Sequence, residues 1–215
     1  MFTIQKFEVN PLQENCYIVS DETKECVIID CGALFTSERL AIKDYIEKNE
    51  LSPVHLLNTH LHFDHVWGNS YLYSTFGLMT EANQHDMYLY EDVHKQVLDF
   101  CGQNWEEDFF APLGKGLVEN DIITFGNHKL SVIATPGHTP GGICFYCEEE
   151  KVLFSGDSLF QCSIGRTDFE HSVAEDLLSS LKEKILTLPE NVTVYTGHGP
   201  ATDILTEKKY NPYLT

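Results

Sequence analysis

Positive charge is scarce in this sequence of 215 residues: 14 Lys and Arg stand against 33 Asp and Glu, for a formal net charge of −19. A nucleic-acid binder needs a basic face to neutralise phosphates, and no run of Lys or Arg supplies one. RNA and DNA are therefore not expected partners, and a small molecule is. An anionic substrate would need a specific positive group to hold it. Long apolar runs are absent too, so no segment reads as a membrane span. The start, Met1-Phe2-Thr3-Ile4-Gln5-Lys6, lacks the basic stretch and apolar core of a secretion signal. The seven Cys are odd in number and scattered, which fits reduced thiols in a cytoplasm. Low-complexity tracts, Pro/Gly/Ser linkers and internal repeats are missing as well. One globular domain over 1–215 is expected, and nothing in the sequence fixes an oligomeric state.

What is present is an alternation of short strands and helices. Residues 16–20 and 26–30 are β-rich and flank the polar turn Asp21-Glu22-Thr23-Lys24. Thr36 or Ser37 is the expected cap of a helix to about Asn49, with Leu40, Ala41, Tyr45 and Ile46 on its apolar face. A strand over 54–58 leads into Thr59-His60. Helices are expected over 64–76 and 83–101, and a long surface loop, placed over a site, over 100–116. Hairpins follow, one around Gly126-Asn127 joining 122–125 to 129–134, another around Glu148-Glu149-Glu150 joining 143–147 to 152–155. A helix over 173–186, a strand over 192–195 and a short last helix complete the chain. This pattern reads as α/β, with sheet packed between helices. Cys144 and Cys147 form a C-x-x-C on a strand, where positions three apart face opposite ways, so a structural role is expected.

The chemistry concentrates in Thr59-His60-Leu61-His62-Phe63-Asp64-His65, directly after an apolar strand. On extended backbone His60 and His62 project to one side and can grip one ion. As the chain turns into a helix, Asp64 and His65 can face a second. Three further polar residues fall where a strand ends beside glycine: His138 in Pro136-Gly137-His138, Asp157 in Ser155-Gly156-Asp157 and His198 in Thr196-Gly197-His198-Gly199.

With these residues the chain resembles a metallo-β-lactamase-fold protein of the glyoxalase II-like group. The resemblance implies a four-layer αββα sandwich and two divalent ions, zinc first, with iron and manganese as alternatives that the same donors accept. It implies that His60, His62 and His138 hold one ion, that Asp64, His65 and His198 hold the other, and that Asp157 bridges them. A hydroxide shared by ions about 3.5–4 Å apart would then attack a thioester such as S-lactoylglutathione, with Asp64 orienting it as a catalytic residue. Arg166, in Gly165-Arg166-Thr167-Asp168-Phe169, aligns with a substrate-binding position of that group; pairing with Asp168 is the competing reading. The β-lactamases of the family typically carry Cys where Asp157 stands, which disfavours antibiotic hydrolysis. Glyoxalase II carries an additional C-terminal helical segment with basic residues for glutathione, not found before Thr215. The same Gly165 to Phe169 stretch also resembles persulfide dioxygenases of this fold, which would use one iron on His60, His138 and Asp157.

Overall fold

In a computed structural model, residues 2–102 and 111–215 are described, and they form two compact units. The first comprises residues 1–116 together with 125–127; the second comprises 117–124 and 128–215.

The first unit is built on a six-stranded sheet in the order β1 (Thr3–Val9), β2 (Glu14–Ser20), β3 (Glu25–Ile29), β4 (Ser52–Leu57), β5 (Thr80–Ala82) and β6 (Leu113–Gly116). The first three strands are antiparallel, Tyr17 pairing with Ile29. From β3 onward the strands are parallel, which requires crossovers. Helix α1 (Thr36–Lys48) makes the first of them, and α2 (Phe63–Val66) and α3 (Asn69–Phe76) the second. Neither Thr36 nor Ser37 caps α1. The cap is Phe35, and the Glu38 carboxylate three residues on accepts the Leu34 and Phe35 amides at 2.9 Å. The buried face of α1 is Ile42 and Ile46, while Leu40 and Ala41 are exposed. Full burial of each of the two Ile contributes about 1.5–3 kcal/mol.

The helix expected over 64–76 is broken at Gly68. A Cβ there would run into the sulfur of Cys31, so tertiary packing sets the break. The helix expected over 83–101 is likewise split. Residues 80–82 belong to β5, a 3-10 turn spans Gln84–Asp86, and α4 (Met87–Glu91) and α5 (Val93–Cys101) follow. The loop expected over 100–116 is corrected at both ends, since Phe100 and Cys101 close α5 and Leu113–Gly116 is strand; residues 103–110 lie outside the described residues.

The second unit carries another six-stranded sheet, in the order β14 (Thr202–Asp203), β13 (Thr193–Thr196), β10 (Val152–Gly156), β9 (Ile143–Cys147), β8 (His128–Ala134) and β7 (Ile122–Phe125). Strands β10 and β13 are parallel, joined through α6 (Ala174–Ser180) and a π-helical turn, Leu181–Ile185. The small hairpin of β11 (Leu159–Phe160) and β12 (Ser163–Ile164) sits ahead of them in sequence, and α7 (Ile204–Tyr210) follows. Leu153, Leu177, Leu181, Ile185 and Val194 form a core without solvent exposure.

All seven Cys are free thiols; Cys101 and Cys162 are exposed and the other five are buried, Cys144 and Cys147 among them. Burial pushes the Cys26 thiol up to about 12, and thiolate is the reactive form. Alkylation of the native protein should therefore label Cys101 and Cys162, with the other five reacting only after denaturation. Peptide mass spectrometry checks this; rapid labelling of Cys26 in the native chain would contradict the packing.

Candidate metal centre

In the first unit the chain leaves β4 at Leu57, at the C-terminal end of a parallel strand, and runs through Asn58, Thr59 and His60 into α2. Open parallel sheets place ligands at such strand ends. The His60 and His62 rings meet edge to face at 4.8 Å between centroids, and the His60 and His65 rings lie 4.1 Å apart. His60, Asp64 and His65 are buried, and His62 is half-buried. Asp64 lies in the first turn of α2, with its Oδ2 3.8 Å from His65 Nε2. Three imidazoles and a carboxylate in so small a space have the donor chemistry of a cation site.

Behind them stands a layer of polar residues that the sequence reading missed. Asp30 leaves the end of β3 with φ 50°, a left-handed conformation that Asp tolerates better than most residues. Its Oδ2 lies 3.2 Å from His65 Nδ1 and accepts the Thr59 hydroxyl at 2.7 Å. Its Oδ1 accepts the Thr59 amide at 2.8 Å and Asn58 Nδ2 at 3.3 Å. Glu14, fully buried, accepts the Gly32 amide at 3.1 Å and reaches within 3.9 Å of His65 Nδ1. Burial pushes the Glu14 carboxyl well above the usual range, against the pull of His65. A signal for Asp30 existed in Ile28-Ile29-Asp30, an acid at the end of an apolar strand, the same form as Phe154-Ser155-Gly156-Asp157.

In the second unit His138 follows β8, Asp157 follows β10 and His198 follows β13. Asp157 Oδ2 stands 3.7 Å from His138 Nε2 and 3.7 Å from His198 Nε2. Those separations exceed a hydrogen bond and approach the ~3.4 Å edge of a tetrahedron whose metal–ligand bonds are about 2.1 Å. His138 Nδ1 donates to the Arg166 carbonyl at 2.7 Å, which leaves the lone pair on Nε2. Gly137, at φ 134°, fits against the backbone of Leu177, where a Cβ would collide. The residues thus fit a metal group on the chemistry and spacing of their donors.

The Arg166 side chain turns to Asp168, donating through Nε at 3.0 Å and through Nη2 at 2.9 Å. Its guanidinium lies 4.5 Å over the Phe169 ring, which in turn packs edge-on to His138 at 5.7 Å. Arg166 is thus paired with Asp168 and exposed.

The sequence profile described as the metallo-beta-lactamase superfamily matches residues 9–198. The chain belongs to the metallo-beta-lactamase superfamily. Hydroxyacylglutathione hydrolase GloC of Haemophilus influenzae is 38% identical over 98% of this chain and 97% of its own length. Among solved structures, the BLEG-1 B3 metallo-beta-lactamase matches with a TM-score of 0.87 and 35% identity, over 99% of this chain and 100% of its own. TTHA1623, solved in a di-iron-bound form, matches with a TM-score of 0.83 and 33% identity, over 98% of this chain and 100% of its own. The α/β expectation, with the metallo-beta-lactamase fold, is met by a mixed chain with two large sheets. As a member of this metallo-hydrolase superfamily the chain is implied to hold a two-metal site, and each of its units carries a His/Asp cluster. No helix among the described residues is long and apolar enough to cross a membrane.

Proposed function

We propose that this chain is a metal-dependent hydrolase that cleaves a small-molecule thioester of the S-lactoylglutathione type. In this reading His60, His62 and His138 hold one divalent ion, Asp64, His65 and His198 the other, and Asp157 serves both. The observation that carries it is the placing of one Asp157 oxygen at equal 3.7 Å separations from two Nε2 atoms. The relative named hydroxyacylglutathione hydrolase supports the thioester class. Zinc is the first expectation for the metal. The two irons bound by TTHA1623 make iron a direct alternative.

When bound, the ions supply Lewis acidity and lower the pKa of water to about 7. The chain's own residues do the rest. Asp64, on the first turn of α2, accepts a hydrogen bond from the attacking water and orients it toward the carbonyl carbon. The Arg166 carbonyl held against the His138 imidazole keeps its proton on Nδ1 through the reaction. Arg166 gives up one arm of its Asp168 fork to a substrate carboxylate.

The purified protein, loaded in turn with zinc, iron or manganese, should bind two equivalents of metal and hydrolyse S-lactoylglutathione. A panel with a β-lactam and with glutathione persulfide completes the test. One iron per chain with oxygen uptake on the persulfide would replace this reading by the dioxygenase; hydrolysis of the β-lactam alone would replace it by a lactamase.

For Arg166→Ala we expect KM for an anionic thioester to rise about tenfold, the low end for an exposed charge-assisted contact. The melting temperature of the ion-free protein should stay unchanged. Unaltered KM in steady-state assays would assign Arg166 to the Asp168 pair alone.

A further inference from the structure

One carboxylate oxygen, Asp30 Oδ2, is shared by two ligand histidines of the first unit. It lies 3.2 Å from His65 Nδ1, and it accepts the Thr59 hydroxyl at 2.7 Å. The Thr59 oxygen lies, in turn, 3.1 Å from His60 Nδ1. A hydroxyl has one proton, and this one is committed to Asp30. Thr59 can therefore meet His60 Nδ1 only as an acceptor, so that nitrogen carries a proton. His65 Nδ1 lies 3.2 Å from the same Asp30 oxygen, an ion-pair separation without hydrogen-bond alignment, so Asp30 acts on His65 through its charge. The His60 ring is thereby set in the Nδ1–H tautomer, with the lone pair on Nε2.

We propose that Thr59 is a positioning residue for His60, and that through it Asp30 couples the metal affinities of His60 and His65. The inference rests on the two-ion reading above, in which His60 and His65 belong to different ions. Its parts are rigid: Asp30, Thr59, His60 and His65 are all buried. Asp30 is fixed further by the Thr59 amide and by Asn58, whose Nδ2 also donates to the His65 carbonyl at 2.8 Å. Asn58 Oδ1 accepts Asn69 Nδ2 at 2.8 Å, which ties the layer to α3. Partners of this kind, one step behind the ligands, typically change metal affinity by about 10- to 100-fold when removed.

The asymmetry makes the idea testable. Thr59→Val keeps the shape of the side chain and removes the oxygen, which cuts the His60 link and one hydrogen bond to Asp30 but leaves Asp30 held by the Thr59 amide and Asn58 beside His65. Asp30→Asn disturbs both links. Zinc titration of the ion-free protein, followed by calorimetry, should show two binding steps in the native chain. Thr59→Val should weaken one step about 10- to 100-fold and leave the other, Thr59→Ser should restore it, and Asp30→Asn should weaken both. Long-range proton–nitrogen NMR of the ion-free protein gives an independent reading. His60 should show the Nδ1–H pattern in the native chain and a tautomer mixture in Thr59→Val.

Two zinc steps of native affinity in Thr59→Val would overturn the proposal. So would equal loss of both steps that Thr59→Ser does not repair, since that is a folding effect. A native chain that takes up no zinc would instead overturn the two-ion reading. The imidazole pattern of His60 then still decides, and the same Nδ1–H pattern with or without the Thr59 oxygen would sink the relay.

Discussion

Asp157→Ala should lose bound metal and hydrolytic activity together, with kcat/KM falling on the order of a thousandfold or more. The size follows from what metal Lewis acidity supplies, several kcal/mol of transition-state stabilisation, at 1.36 kcal/mol per factor of ten. The residue is singular because its Oδ2 is equally distant from two imidazole Nε2 atoms. In the proposed site, removing it takes away an anionic donor that would serve both ions, whereas removing one histidine takes one neutral donor. The fold should survive, because Asp157 lies beyond the end of β10 and is not part of the apolar core. We therefore expect the ion-free variant to melt close to the native ion-free protein. His62→Ala should show the same joint loss. Metal content and turnover that persist in both variants would mean that these side chains are misassigned.

Gly165→Ala should be nearly as damaging without touching any donor atom. A Cβ at this position would collide with the Asp157 carbonyl oxygen and come within 3.2 Å of His138 Cβ. The obstacle is backbone, so no side-chain rotation relieves it. Overpacking of this kind costs about 1–3 kcal/mol, or roughly 2–12 °C in melting temperature for a chain of this size. The relief has to come from displacing Asp157 or the loop that carries Arg166, whose carbonyl holds His138. The predicted result is a lower melting temperature together with substoichiometric metal. A Gly165→Ala protein with native stability and full metal content would show that this approach does not set the position of Asp157.

The His and Asp clusters were legible because His60, His138, Asp157 and His198 each stand just past an apolar strand, the last three beside glycine, a pattern that is local in sequence. Hairpins around Gly126 and around Glu148-Glu149-Glu150 were legible for the same reason. Features governed by distant partners were not. Gly68 breaks a helix because of Cys31, more than thirty residues earlier, and nothing near Gly68 announces that contact. Phe35, whose side chain makes no capping hydrogen bond, stands at the cap of α1 because Glu38 reaches back to accept the Leu34 and Phe35 amides. Strands β5 and β6 are three and four residues long, and β6 holds two glycines, too little signal against a helical period that runs on through Leu89 and Val93. Asp30 carried only the local signal of an acid at a strand end, and neither it nor Glu14 shows in sequence the groups that meet it. Their partner His65 lies 35 and 51 positions away.

The central claim is that seven side chains, His60, His62, Asp64, His65, His138, Asp157 and His198, act together on a pair of cations. Crystals of the metal-loaded protein, measured on either side of the metal absorption edge, test it most directly. The account predicts two anomalous peaks per chain, about 3.5–4 Å apart, with an Asp157 oxygen between them and imidazole nitrogens around each. A single peak, or peaks bound by residues outside this set, would contradict it.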